Sequence, residues 1–142
     1  MLDRTIKFED LKEMMQKSVE KFGEKAAFYR DGKGLEDSKK VTYKEFYHEI
    51  NSLGTALIEM GLKGKRIAVI GENRYEWELS YLAVATGTGI IVPLDKALPE
   101  NEIESLIIRS EVEAIFYSSK YDECMAKIQR QGNTKLKYFI SM

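Results

Sequence analysis

Residues 67–94 read IAVIGENRYEWELSYLAVATGTGIIVPL, and this stretch decides the fold. It begins with a continuous apolar run at 67–70 and ends with a second one at 90–94. Asn73, followed by Glu76 at the third position, predicts the start of a helix between the two runs. The apolar face of that helix is Trp77, Tyr81, Val84 and Ala85. Two apolar strands joined by a helix form a βαβ unit, which predicts a parallel sheet with a right-handed crossover.

The same alternation continues towards the C-terminus. Pro99 lies just inside the next predicted helix, whose apolar face is Ile103, Leu106 and Ile107. Further apolar strands are predicted at 114–117 and 138–140. The helix between them has the apolar face Tyr121, Cys124, Met125 and Ile128. Four short apolar strands separated by three helices predict an α/β fold, a Rossmann-like parallel sheet with helices on both faces.

A helix and a short β-hairpin are predicted to precede this sheet. The apolar face of the first helix runs from Phe8 to Phe22, and Gly23 is its predicted C-cap. Short strands at 26–30 and 40–42 predict the hairpin, with a turn at 31–34 between them.

The second predicted helix has the clearest boundaries. Thr42 followed by Glu45 forms a capping box at its start, and Gly61 stops it. Gly54 stands on its apolar face, where glycine costs up to about 1 kcal/mol of helix stability relative to alanine. We therefore expect another element to approach this helix closely at Gly54.

Polar residues follow three of the predicted strands, at the carboxyl ends where such sheets bind ligands. These candidate contacts are Asn73, Arg74, Asp95 and Ser118. For each of them, a helix cap, a turn or an ordinary surface position is the alternative interpretation. The loop after residue 70 is not a phosphate fingerprint, because it has a single glycine and Glu72 would repel a phosphate. No catalytic or cofactor-binding residue is therefore assigned.

Other features that can signal chemistry have simpler interpretations. Residues 86–89 read Thr-Gly-Thr-Gly, but they lead into a strand and no Lys-Ser or Lys-Thr follows, which indicates a helix end and a turn. His48, the only histidine, lies off the apolar stripe of its helix. Cys124, the only cysteine, lies on an apolar helix face and is expected to act as a small hydrophobic residue. We therefore expect no metal site and no disulfide.

Composition argues against some classes of partner and favours one compartment. The chain has 22 Lys and Arg against 23 Asp and Glu, a formal charge of -1, which removes the electrostatic argument for nucleic acid or an anionic membrane surface. No apolar run approaches the length of a membrane span, and the first residues do not resemble a secretory signal. A single cysteine favours a cytoplasmic location.

A series of short motifs carries a resemblance to a known family. In order they are TYKEF at 42–46, LIEMGL at 57–62, GKRIAV at 64–69, ENRYEW at 72–77, YLAV at 81–84, VPLD at 92–95 and PENE at 99–102. In this order and spacing they resemble the N-terminal part of the adenylate-forming (AMP-binding) enzymes, most closely the long-chain acyl-CoA synthetases. One departure is Thr88, where the family usually has glycine; Gly87 and Gly89 flank it here.

The resemblance implies an enzyme that uses ATP to activate a carboxylic acid as an acyl-adenylate and then transfers the acyl group to coenzyme A. ATP, Mg²⁺ and coenzyme A are thus the implied cofactors, and a fatty acid or other carboxylic acid the implied substrate. The family's phosphate loop, its aromatic-Gly-x-Thr-Glu segment, its ribose-binding Asp and its C-terminal lysine do not occur in this sequence. No catalytic residue is carried over, and no cofactor is expected to bind this chain tightly.

The expected organisation is one subdomain over residues 1–142, part of a larger N-terminal ligase domain and truncated at its C-terminus. Its main partners would be the missing downstream domains of the same enzyme, and it would be inactive alone. Two other interpretations stay open. Strand–helix alternation by itself also suits a free-standing Rossmann-like nucleotide-binding module, and the chain could serve as a non-catalytic dimerisation domain.

Overall fold

A computed structural model describes residues 7–30 and 38–142. The chain divides into two compact units, Met1–Glu49 and Ile50–Met142, and the division falls within the second helix. The turn predicted at 31–34 lies outside the described residues.

The first unit contains the predicted helix and hairpin. The helix α1 (Leu11–Phe22) starts at Asp10, whose carboxylate accepts a hydrogen bond of 2.7 Å from the Glu13 amide. The strands β1 (Ala26–Arg30) and β2 (Lys39–Thr42) pair antiparallel, which confirms the hairpin.

Two details at the ends of α1 differ from the sequence-based prediction. The side chain of Asp10 caps the helix, so the helix begins at Leu11 and Phe8 lies before it. Phe8 is 49% exposed. Gly23 does end the helix, but with a right-handed φ of -41° instead of the left-handed conformation of a glycine cap.

The helix α2 (Tyr43–Glu59) begins with the predicted capping box. The Thr42 amide donates to Glu45 Oε2 over 2.8 Å, and the Glu45 amide donates to Thr42 Oγ1 over 3.2 Å. The bond from the Thr42 amide, followed by a bond of 2.9 Å from the Thr42 hydroxyl to Glu45 Oε2, lowers the pKa of Glu45. Gly61, with a φ of +82°, follows the helix in the left-handed region, as a terminating glycine does.

The second unit is built on one parallel sheet. Its strands are β3 (Arg66–Ile70), β4 (Ile90–Pro93), β5 (Ala114–Tyr117) and β6 (Tyr138–Ser141), in the spatial order β4-β3-β5-β6. The connecting helices are α3 (Tyr75–Ala83), α4 (Glu100–Ser110) and α5 (Asp122–Gln131). This arrangement confirms the predicted α/β fold.

Helices cover both faces of the sheet. Successive residues of a strand point to opposite faces, so each strand contributes to two apolar clusters. Ala68, Ile70 and Ile115 pack with the apolar faces of α4 and α5. Ile67, Val69 and Phe116 pack on the other side, with Leu57 of α2 and with Trp77 and Tyr81 of α3. All six strand residues are at most 3% exposed, so β3 and β5 form the centre of the core.

The helix starts in the second unit lie slightly later than predicted. Arg74, not Asn73, precedes α3; its backbone is extended and its carbonyl accepts hydrogen bonds from the amides of Trp77 and Glu78. Asn73 therefore lies one position too early to cap the helix. Pro99 likewise precedes α4, with a ψ of 156°, instead of forming its first residue.

The close approach predicted at Gly54 is present. The hydroxyl of buried Thr88 donates to the Ala83 carbonyl over 2.8 Å and lies 3.4 Å from the Gly54 carbonyl. A Cβ at Gly54 would lie 3.0 Å from that hydroxyl oxygen. Thr88 ends a π-helical turn, Val84–Thr88, in which Gly87 has a φ of 145°. This turn is the helix end predicted for residues 86–89.

Candidate functional site at the carboxyl edge of the sheet

The predicted contacts lie at one edge of the sheet. Because β4, β3 and β5 are parallel neighbours, the loops that follow them lie side by side. These loops carry Asp95, then Asn73 and Arg74, then Ser118. The topology therefore brings the four candidates to the same edge, although their side chains have different environments.

Ser118 is a fixed, buried part of this edge. The residue is 2% exposed, and its amide donates to the Ile70 carbonyl over 3.2 Å. Among the described residues its buried hydroxyl makes no hydrogen bond of regular geometry, although it is near enough to the Glu72 carboxylate to lower that pKa. A Cβ at Gly71 would lie 3.4 Å from Ser118 Cβ, so the loops after β3 and β5 pack closely. Ser118 is therefore a polar group in the wall of the edge and not an exposed contact.

Arg74 and Asn73 are both exposed. Arg74 Nε lies 2.6 Å from Glu76 Oε2, in an ion pair within the first turn of α3. Exposed ion pairs of this kind contribute little to stability, since water screens them. The arginine can thus exchange this partner for another anionic group without a large loss.

Asp95 shapes its own loop. Its carboxylate accepts a hydrogen bond of 2.9 Å from the Ala97 amide, and its carbonyl accepts one of 3.3 Å from the Leu98 amide. A carboxylate that bonds the backbone two residues later forms an Asx-turn. The turn role that was the alternative for Asp95 is therefore present.

Other side chains at this edge have defined contacts. Lys120 Nζ lies 3.9 Å from Glu72 Oε1. The pKa of Glu72 is lowered, first by the nearby Ser118 hydroxyl, then by its own backbone amide and by Lys120 and Lys96. Tyr121, predicted only as a core residue, donates its hydroxyl to the Lys96 carbonyl over 2.9 Å. A tyrosine just after a strand end, with an apolar ring and a polar tip, is the signal that could have identified it.

The described residues do not fit a nucleotide or its metal ion. In the two ranges that the structure covers, 7–30 and 38–142, no group of three or more His, Cys, Asp or Glu side chains is placed to hold a metal. Glu72 and Asp95 put two carboxylates at the carboxyl edge, and carboxylates repel phosphates. The glycine-containing turn at 86–89 precedes β4 and so lies at the opposite edge. We derive no step of ATP chemistry from these residues.

His48 and Cys124 have the environments that were predicted. His48 is exposed on α2. Cys124 is 4% exposed in the core beneath α5, where burial raises the pKa of its thiol. A buried thiol with a raised pKa is a poor nucleophile, so Cys124 acts as a small apolar residue. Among the described residues, no helix is both long enough and apolar enough to cross a bilayer.

The opposite, amino edge holds a compact charge network. Glu113 accepts from Lys137 over 2.6 Å and from Lys65 over 2.9 Å, and these two partners lower its pKa to about 2. Glu111 pairs with Lys135 over 2.7 Å and with Arg66 over 3.5 Å. Lys65 and Arg66, at the start of β3, thus neutralise carboxylates beside β5.

This network predicts a specific acid sensitivity. The pKa of Glu113 is about 2 in the folded chain against an ordinary 4.5, so its stabilising effect is complete above pH 4.5 and disappears as the pH falls towards 2. In Glu113→Gln we expect lower stability at pH 7 and a flatter loss of stability between pH 4.5 and 2, measured by urea unfolding.

The control for Glu113 is Glu123→Gln, which removes an exposed carboxylate of α5 with no hydrogen-bond or ion-pair partner among the described residues. The control should lose only the small helix-dipole contribution of a first-turn carboxylate and otherwise follow the wild type between pH 4.5 and 2. Parallel profiles for Glu113→Gln and the wild type would contradict the assigned role.

Comparison with known proteins identifies the class to which this fold belongs. Residues 15–140 match the family described as AMP-binding enzyme, so the chain belongs to that family. Fatty acyl-CoA synthetase A of Dictyostelium discoideum is 34% identical over 106 residues, which cover 74% of this chain and 15% of the relative. Long chain acyl-CoA synthetase 1 of Arabidopsis thaliana is 33% identical over 76 residues, 53% of this chain and 12% of the relative. The family resemblance carried by the motifs is confirmed.

Solved structures agree on the fold. The anthranilate CoA ligase AuaEII, solved with anthranoyl-AMP, superposes with a TM-score of 0.81 at 16% identity over 97% of this chain. A fatty acyl CoA synthetase of Mycobacterium tuberculosis gives a TM-score of 0.81 at 17% identity over 94% of the chain. The matched region is 26% of each of these structures, so this chain has the fold of about a quarter of such a ligase.

Proposed function

We propose that this chain is the scaffold part of an AMP-forming acid–CoA ligase. The whole enzyme would use ATP to convert a carboxylic acid, of the fatty-acid class, to its acyl-adenylate and then to the coenzyme A thioester. The observation that carries the proposal is the family match over residues 15–140, together with relatives named as acyl-CoA synthetases. The chain spans less than a fifth of the length of these relatives, and it is proposed to be inactive alone.

In this proposal the chain supplies a rigid edge and not the reacting groups. ATP, Mg²⁺ and coenzyme A would bind mainly to other parts of the whole enzyme, which are the chain's principal partners. Asn73, Arg74, Asp95 and Ser118 remain proposed polar contacts at the carboxyl edge. Exposure supports the first three, whereas Ser118 is buried in the wall of the edge. Glu72 and Asp95 weigh against the alternative of a free-standing nucleotide module, because both are acidic.

Compartment and self-association belong to the same proposal. The single buried cysteine supports a reducing, cytoplasmic location. A homodimer of the whole enzyme is compatible with the proposal, and light scattering of the purified protein tests it.

The test is an exchange of segments between enzymes. The 106 matched residues of the Dictyostelium relative would be replaced by the aligned residues of this chain. If this chain is a ligase scaffold, the exchanged enzyme forms fatty acyl-CoA, and the 142-residue chain alone does not. As a control, the same exchange would be made with Gly89→Ala, where an added Cβ meets the Lys65 backbone, which should destabilise the segment and lower the activity.

A further inference from the structure

The loop between β4 and α4 is tied to a neighbouring element by one side chain. The Tyr121 hydroxyl donates to the Lys96 carbonyl over 2.9 Å, from the turn that follows β5. Tyr121 is 8% exposed and belongs to the apolar cluster that contains Leu94 and Ile103. Because the ring is held in the core, the hydroxyl is a fixed point against which the loop is placed.

The other hydrogen bonds of the loop are local. The Ala97 and Leu98 amides both donate to Asp95, to its carboxylate and to its carbonyl. Bonds within a turn fix its shape but not its position relative to the rest of the sheet. Among the described residues, the bond from Tyr121 is the one that reaches residues 95–98 from another element.

Charged side chains surround this bond. Glu72 faces Lys120 at 3.9 Å, and its pKa is also lowered by Lys96. The pKa of Tyr121 is raised, first by burial and then by the negative charges of Glu72 and Asp95. The Tyr121–Lys96 bond joins the loop after β4 to the turn after β5, and the Lys120–Glu72 pair joins that turn to the loop after β3.

We propose that Tyr121 is a positioning residue whose hydroxyl holds loop 95–98 against the turn that follows β5. The inference rests on the proposed function, because it treats the carboxyl edge as part of the enzyme's site. In the whole enzyme, the bond keeps the polar groups of two loops in one fixed arrangement. Tyr121 itself touches no reacting atom in this role.

The test compares two tyrosine-to-phenylalanine variants, each of which loses one hydroxyl group. Tyr121→Phe removes the bond to Lys96, and Tyr138→Phe removes a bond of 3.0 Å to the Met60 carbonyl at the other end of the sheet. Losing one hydrogen bond should speed local opening about five- to tenfold. We expect amide exchange at Ala97 and Leu98 to accelerate by that factor in Tyr121→Phe and to stay unchanged in Tyr138→Phe.

A second readout separates positioning from general stability. The groups that lower the pKa of Glu72 are Ser118 first, then its own backbone amide, Lys120 and Lys96, and the charges of Glu72 and Asp95 in turn raise the pKa of Tyr121. If loop 95–98 loosens, Lys96 lowers the pKa of Glu72 less. Carboxyl NMR titration should then give an upward shift in Tyr121→Phe and none in Tyr138→Phe.

Either of two results would overturn the proposal. One is exchange at Ala97 and Leu98 equal to that of the wild type, or raised uniformly along the chain. The other is an unchanged titration of Glu72. Both readouts use the 142-residue chain without substrate, so their failure leaves the ligase proposal standing. An inactive segment exchange would likewise leave the role of Tyr121 in the fold intact.

Discussion

Replacement of Gly89 by alanine is expected to lower the free energy of unfolding by about 3 kcal/mol or more. Gly89 is in extended backbone, with a φ of -169°, so the conformation itself is open to any residue. The obstacle is space, because a Cβ there would overlap the Lys65 carbonyl oxygen and lie 3.3 Å from the Lys65 amide nitrogen. The two backbone segments cannot separate easily, because the Ile90 amide donates to the Lys65 carbonyl over 2.8 Å and the Gly64 amide donates to the Thr88 carbonyl over 2.7 Å.

The matched control is Gly132→Ala. Gly132 has a φ of +64° after α5, and an added Cβ there meets nothing within 4 Å. The expected loss at this site is about 1 kcal/mol, from the left-handed conformation alone. Urea unfolding of the two variants measures the difference. If Gly89→Ala lowers the free energy of unfolding no more than Gly132→Ala does, then residues 64–65 and 88–90 are not packed as described.

Ile67→Ala is the second change with a large expected effect. Ile67 is fully buried in β3, on the face of the sheet that α2 and α3 cover. Removing its side-chain carbons leaves a cavity in a rigid part of the core, which costs about 3 to 4 kcal/mol. The same substitution at Ile90, which is 55% exposed at the start of the edge strand β4, should cost less than about 1 kcal/mol.

The comparison of Ile67 with Ile90 tests the strand order. If β4 were internal and β3 at the edge, the two losses would be reversed. Similar losses at both positions would contradict the placement of β3 at the centre of the sheet.

Much of this fold could be predicted from the sequence, because local signals and the global fold agree. The capping box of Thr42 and Glu45 is a local motif, and its two bonds are present. The apolar runs at 67–70 and 114–117 leave no polar face and so predict strands covered on both sides. Gly54 predicted a close neighbour, although the sequence did not identify that neighbour as Thr88.

The misses are of two kinds. Helix starts shifted by one residue at Arg74 and at Pro99, because residues before a helix have extended backbone and a pattern of side chains does not reveal where that backbone turns. The contacts at the carboxyl edge join loops that are distant in the chain. The bond from Tyr121 to Lys96 spans 25 residues and depends on strand order, which no local signal specifies.

The sequence predicted the location of the candidate site better than it predicted the environment of each side chain. Parallel strands had to bring Asn73, Asp95 and Ser118 to one edge. Whether each side chain is exposed or buried depends on packing. Packing alone reveals that Ser118 is buried, whereas the turn at Asp95 is a local feature that the sequence offered as the alternative.

The most direct test of the central claim is the rate of fatty acyl-CoA formation by the segment-exchanged Dictyostelium enzyme. The account predicts a cooperatively folded enzyme whose rate depends on ATP, fatty acid and coenzyme A and lies within about a hundredfold of the parent enzyme, since differences in packing at the new contacts of a few kcal/mol are tolerable. A folded exchanged enzyme that forms no fatty acyl-CoA would contradict the assignment of this chain as a ligase scaffold.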